Sequence, residues 1–214
     1  MTPQELLRTG AKELGLELTT EQILAIFLFM KELNKWNRKI NLTAIRDEHD
    51  IIKKHILDSL AYLKGFSVTT GLKLLDMGTG AGFPAIPIKI AKPILATNLV
   101  ESVKKKASFL RHIVRTLNLT NIEVIDKRIE ALSPLLYAAY DIVTARAFAD
   151  MNTALTTGGS FLKRGGLMVL SRGPEEAIRM QEVASLGFDL ENRIELTLPH
   201  SDYKRAIWVF KRIV

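Results

Sequence analysis

The chain has 214 residues, no cysteine and a formal net charge of +7, from 30 Lys and Arg against 23 Asp and Glu. The lack of cysteine excludes a disulfide framework, thiolate metal sites and a cysteine nucleophile, and the four scattered histidines lack the H-x-H or H-x-x-x-H spacing of a metal site. No apolar run reaches membrane-spanning length and the N-terminus lacks a signal peptide's basic start and apolar core, so a cytoplasmic protein with no membrane and no metal is expected.

In chain order, residues 1–66 are predicted to form an N-terminal helical cap. Thr19-Thr20-Glu21-Gln22 has the form of a capping box. Ile23, Leu24, Ile26, Phe27, Met30 and Leu33 follow it at helical spacing. Trp36 to Thr43 is polar enough to predict a loop and apolar enough to dock. A second helix is predicted from about Glu48 to Leu63, with Ile52, Ile56, Leu60 and Leu63 on one face. Residues 67–214 then alternate strands with helices. Strands are predicted at Leu72–Met77, Leu95–Glu101, Ile122–Ile125, Asp141–Ala145, Gly166–Ser171 and Arg205–Phe210, and a helix at Ser102–Asn118. This is the α/β pattern of a mostly parallel Rossmann-like sheet. The segment from Gly187 lacks helical periodicity and predicts a terminal hairpin, hence an antiparallel C-terminal edge. The cap is expected to pack on the α/β body as one compact, monomeric unit.

The most specific stretch is Lys73-Leu74-Leu75-Asp76-Met77-Gly78-Thr79-Gly80-Ala81-Gly82-Phe83-Pro84. It reads as a buried strand, a glycine loop and a helix start. A second acid, Glu101, ends the next apolar run. A glycine loop on the first strand and an acid on the second form a nucleoside pocket, the acid facing ribose hydroxyls. The third glycine comes one residue earlier than in G-x-G-x-x-G, and Pro84 removes an amide that a pyrophosphate would use. S-adenosylmethionine carries no phosphate and suits this loop better than a dinucleotide. An NAD-dependent oxidoreductase stays open as the weaker alternative. Later strand ends face the same crevice: Asp126 to Glu130 after the third strand, Arg146-Ala147-Phe148 after the fourth. Ile129 and Glu130 are placed to supply an amide beside adenine, and Arg146 to serve the site.

The basic excess favours a polyanionic partner. Lys35, Arg38 and Lys39 in the cap, with Lys163, Arg172 and Arg205 near later strands, are candidates for a phosphate-holding rim. His55 and Asp58 share a helix face. They read either as a substrate contact or as a cluster joining cap to body. Missing cysteine excludes a cytosine-C5 methyltransferase, and no Pro-Pro occurs for the D/N-P-P-aromatic motif of amino-methylating enzymes. What remains are acceptors with an exposed lone pair, of which guanine N7 is the clean case, or acceptors served by another base. No catalytic general base is expected for N7, and orientation would suffice. A non-catalytic RNA-binding protein on the same fold is the second alternative.

These pieces together resemble a known family. Lys35-Trp36-Asn37 with Asn41-Leu42-Thr43, His55 to Ser59, Leu75 to Pro84, Arg128-Ile129-Glu130, Arg146-Ala147-Phe148 and Arg205 are similar to the bacterial small-subunit ribosomal RNA methyltransferase G family, also called glucose-inhibited division protein B. The resemblance spans nearly the whole chain. It implies methyl transfer from S-adenosylmethionine to N7 of one guanine in a conserved loop of 16S ribosomal RNA near the decoding site, with naked RNA or the small ribosomal subunit as partner. It also implies that Gly78, Phe83, Ile129, Glu130 and Arg146 hold the cofactor. Ala85 stands where the family usually has glycine, and Arg172-Gly173 where it commonly has a lysine-glycine pair.

Overall fold

The structure is a computed structural model that describes residues 1–176 and 178–214. The cap opens with α1 (Pro3–Glu13), capped by Thr2, and α2 (Thr20–Ile40), capped by Thr19 in the expected box with Gln22. Helix α2 does not stop at Trp36. It continues to Ile40 and ends on Asn41 in the left-handed region. The polar composition of residues 36–40 predicted a loop, but tertiary contacts override it: the Trp36 ring packs 5.7 Å from Phe109 and 5.2 Å from His112. Leu24, counted on the apolar face, is instead exposed.

The second predicted helix is a continuous run of four segments in three kinds of winding. It begins as α3 (Glu48–Ile51), widens into a π-helical stretch (Ile52–Leu57), returns as α4 (Asp58–Ala61) and tightens into a 3-10 turn (Tyr62–Lys64). A π stretch inside a helix frequently marks a functional site. This one carries Lys54 and His55.

The body follows as β1 (Lys73–Met77), α5 (Ala85–Ala91), β2 (Ala96–Val100), α6 (Lys104–Thr116), β3 (Ile122–Ile125), β4 (Tyr140–Arg146), α7 (Met151–Gly159), β5 (Leu162–Arg172), α8 (Met180–Ser185), β6 (Phe188–Thr197) and β7 (Lys204–Arg212). The seven strands form one sheet in the order β3-β2-β1-β4-β5-β7-β6. The first five are mutually parallel, and β7 runs antiparallel to both of its neighbours, β5 and β6. The predicted terminal hairpin is therefore present, with its second strand inserted next to β5. Strand order reverses between β1 and β4, the switch point where ligands bind in open α/β sheets.

Successive residues of each strand enter two different cores, as a period of two requires. Leu74, Ile142, Val169, Ile207 and Val209 face the cap, α5 and α6. Leu75, Val143, Met168, Leu170, Trp208 and Phe210 face α7 and α8. The cap thus shares its core with one face of the sheet. Polar contacts fix it there: Gln22 Nε2 donates to the Ile90 and Ala91 carbonyls, both at 3.0 Å, closing the end of α5.

Candidate active site

The glycine loop lies at the carboxyl end of β1. Gly78, Gly80 and Gly82 all have positive φ. A Cβ on Gly82 would lie 2.6 Å from Ile86 Cγ1, so the residue is constrained by both conformation and space. Glu101 is buried, and its carboxylate braces the loop: Oε2 accepts from Gly80 N at 2.9 Å and Oε1 from Val103 N at 2.7 Å. Each carboxylate oxygen keeps a second lone-pair site, so these bonds leave acceptor capacity for a ribose hydroxyl. At the root of the loop Asp76 is completely buried. Thr144 donates to its Oδ1 at 2.7 Å, while Asp76 Oδ2 and the Thr79 hydroxyl have no partner among the described residues. Burial pushes the Asp76 carboxyl up to about 6.

Beside the loop runs a groove of about 160 Å³ lined by Gly78, Val100, Ser102, Lys127, Arg128, Ile129, Glu130 and Phe148. The structure thus brings the carboxyl ends of β1, β2, β3 and β4 together, as expected of strands in a parallel sheet. Phe148 packs over the loop: a Cβ on Gly78 would come within 3.0 Å of its ring.

On the other side of the Arg146-Ala147-Phe148 turn lies a second cavity of about 460 Å³, reached by Lys54, His55, Asp58, Arg146, Arg172 and Arg205 and rimmed by Tyr203. The buried Asp58 carboxylate organises it. Oδ2 accepts from Arg146 Nη1 at 3.2 Å and Oδ1 from Arg205 Nε at 3.0 Å. The cluster does join cap to body, and it also lines a cavity. Arg146 Nη2 lies 2.8 Å from His55 Nδ1. A guanidinium can only donate, so Nδ1 accepts and Nε2 carries the imidazole proton. That proton is given to Thr43 Oγ1 at 2.7 Å. Burial, reinforced by the Arg146 charge, lowers the His55 pKa to about 4, so the ring is neutral near pH 7. Phe83 completes the packing. His55 stacks on it at 4.6 Å, and the Arg146 guanidinium sits 5.1 Å from its ring centre.

Tyr62 fixes the strands that carry the arginines. Its buried hydroxyl donates to the Ala145 carbonyl at 2.9 Å and accepts from Ser171 N at 3.2 Å, linking β4 and β5 one residue before Arg146 and Arg172. Arg172 donates to the Ala149 carbonyl and lies 3.8 Å from Glu176. Four cations, Lys54, Arg146, Arg172 and Arg205, thus face this cavity against two carboxylates, Asp58 and Glu176.

The remaining candidates lie elsewhere. Lys163 stands at the amino end of β5, pairs with Asp141 at 2.6 Å and lines a different cavity. The expectation that it rims the crevice is corrected: Lys163 is the second residue of β5, and in a parallel sheet the amino end of a strand lies opposite the carboxyl ends that form the crevice. Lys35 and Lys39 are exposed on α2, Lys35 lying 3.7 Å from Glu32. Arg38 lines a separate cavity on the cap. Sequence reasoning assigned no role to Tyr62 or Tyr203. Neither lies in a recognisable motif, and only the packing of cap on sheet reveals them. No group of acids and histidines suited to a metal ion occurs among the described residues.

Comparison with known proteins agrees with this geometry. Solved structures share the fold: a SAM-dependent methyltransferase from Aquifex aeolicus superposes with a TM-score of 0.56 at 17% identity, covering 76% of this chain and 93% of that one. TYW2 from M. jannaschii, solved in complex with AdoMet, gives 0.53 at 15% identity over 68% of this chain and 72% of that one. Sequence relatives are closer. The Ribosomal RNA small subunit methyltransferase G of Geobacter sp. (strain M21) is 39% identical over 98% of this chain and 97% of its own length. That of Caldanaerobacter subterraneus subsp. tengcongensis is 37% identical over 98% of this chain and 90% of its own. The family model for rRNA small subunit methyltransferase G matches residues 22–205. This chain belongs to the rRNA small subunit methyltransferase G family, and it is an enzyme.

Proposed function

We propose that the enzyme transfers a methyl group from S-adenosylmethionine to N7 of a single unpaired guanine in 16S ribosomal RNA, in a conserved loop near the decoding site. The observation that carries this reading is the pair of cavities flanking one turn, residues 146–148: an acid-braced glycine groove on one side, a cationic cavity on the other.

The residues fit the cofactor. Gly78, Gly80 and Gly82 let backbone approach it, Glu101 offers acceptors to a ribose, and Ile129 and Glu130 edge the groove where adenine would lie. The unpartnered Asp76 Oδ2 and Thr79 hydroxyl mark the root of the loop as polar ground for an amino-acid moiety. When bound, S-adenosylmethionine supplies an electrophilic methyl, and transfer to N7 moves the sulfonium's positive charge onto the purine.

The chain's own part is orientation and charge placement. N7 already owns a lone pair, so no proton must leave before attack. His55 suits this: its Nδ1 is occupied by Arg146 and its Nε2 proton by Thr43, which makes it a brace for Arg146 and not a base. Arg205, Arg172 and Lys54 are placed to hold phosphates around an extruded nucleotide. Regular A-form RNA keeps N7 in a groove too deep and narrow for side chains, so the target is an unpaired or flipped guanine. Labelled methyl transfer to 16S RNA, naked and in the small subunit, tests the proposal. One modified guanine in a loop supports it; label spread over many paired guanines would sink it.

A further inference from the structure

A third cavity, on the cap, has no place in the chemistry above. It measures about 490 Å³ and is lined by Asn34, Asn37, Arg38 and Arg46. Its lining is wholly polar, two amides and two guanidiniums, with no carboxylate. The amide of Asn37 is committed: it accepts from Leu42 N and Thr43 N and donates to the Thr43 carbonyl, which fixes the loop after α2. The two arginines have no partner among the described residues. Arginine–carboxylate pairs among the described residues use Arg111, Arg146, Arg172, Arg179, Arg193 and Arg205. Neither Arg38 nor Arg46 enters any of them, or any hydrogen bond, among the described residues.

The location gives the cavity meaning. Ile45 lines the cationic cavity and the next residue, Arg46, lines this one. One thin loop, held rigid by Asn37, therefore separates the two. Two uncommitted guanidiniums over a polar hollow suit a phosphate, which they can grip with paired N–H donors. A strand whose target base enters the cationic cavity would carry its neighbouring phosphates across that loop.

We propose that Arg38 and Arg46 form a second RNA subsite, which grips a backbone phosphate of nucleotides adjoining the target guanine. The inference rests on the function proposed above. Asn34, beside them, is placed to bond a sugar or phosphate oxygen. The subsite supplies affinity and register and makes no contact with the reacting atoms.

The test compares wild type with Arg38→Ala/Arg46→Ala, with Arg38→Lys/Arg46→Lys, and with Lys73→Ala/Arg164→Ala. The last pair removes equal charge at the amino end of the sheet. Binding of 16S RNA is measured across salt concentrations, alongside methyl transfer and calorimetry of S-adenosylhomocysteine. Two single-strand phosphate contacts contribute about 1.4 to the log–log salt slope, so the alanine variant's deficit should shrink about sevenfold between 50 and 200 mM salt. Its KM for RNA should rise while kcat and cofactor affinity stay unchanged, and the lysine pair should restore most of the slope. Equal losses in the Lys73/Arg164 variant, or an unchanged slope in Arg38→Ala/Arg46→Ala, would overturn the subsite. If wild type binds RNA through these arginines yet transfers no methyl to it, the subsite stands and the proposed function fails. If wild type does not bind RNA, both fall.

Discussion

Replacing Tyr62 with phenylalanine removes one oxygen and almost no volume. That oxygen makes two hydrogen bonds, to the Ala145 carbonyl and from Ser171 N, in a fully buried setting. Each orphaned buried backbone group costs about 1–3 kcal/mol. The two orphans face one another across β4 and β5, so a small shift could let them pair and recover part of the loss. We expect a net destabilisation of about 2 kcal/mol, or roughly 4–8 °C in Tm at this chain length. Because the oxygen sits one residue before both Arg146 and Arg172, methyl transfer should fall more than cofactor binding does. Urea denaturation with an unchanged m value gives the stability term, and calorimetry with S-adenosylhomocysteine gives the binding term. A variant within 0.5 kcal/mol of wild type, a margin typical of surface changes, would refute the idea that this hydroxyl holds the strand ends in place.

Asp58→Asn should cost about 2–3 kcal/mol, at or below the bottom of the range of about 3–5 kcal/mol for breaking a buried pair, since Arg146 and Arg205 keep some solvent contact; a two-state melt matching wild type would contradict the bridge. Glu101→Ala frees the amides of Gly80 and Val103 and should weaken S-adenosylhomocysteine binding by about 1–3 kcal/mol, and unchanged affinity would remove Glu101 from the site. For Asp76, whose folded pKa of about 6 lies above its unfolded value, the native state binds more protons between pH 4 and 6. Stability therefore falls as pH rises through that window, by up to roughly 3 kcal/mol, and Asp76→Asn should abolish the fall. His55 has the opposite sign: its folded pKa of about 4 lies below the unfolded value, so its contribution is complete above about pH 6.5 and lost as pH falls toward 4. Its ring resonances should show no titration above about pH 5, and the chemical step should be flat from about pH 6.5 to 8.5; a bell-shaped profile would reveal an acid–base pair.

Much of this architecture is legible in the chain because the local signals agree with the fold. Strands β1 to β4 announce themselves as short apolar runs, and the glycine loop and Glu101 land together because strand order and loop chemistry dictate it. The misses come from tertiary context and, for Lys163, from strand direction. Residues 36–40 are polar in sequence, yet Trp36 finds Phe109 on α6 and the helix continues. Lys163 precedes the apolar run of β5 and therefore belongs at the strand's amino end, away from the crevice; a basic residue near a strand serves the site only where it stands at the carboxyl end, as Arg146 and Arg172 do. The π winding that carries His55 has no sequence signature. His55 and Asp58 were visible as a pair on one helix face, but their shared partner lies 88 residues beyond Asp58. Side chains acting across the cap–sheet boundary, such as Tyr62, become visible only when both surfaces are in hand.

The proposal that this enzyme methylates N7 of one unpaired guanine in 16S RNA, without a general base, stands or falls on where the methyl group goes. Enzyme and labelled S-adenosylmethionine are incubated with 16S RNA, naked and in small subunits. Modified guanines are then located by chemical cleavage at N7-methylguanine and reverse transcription. A single cleavage site, at a guanine in a loop, is expected. Label on another atom of the base, on many paired guanines, or on no RNA at all would contradict it.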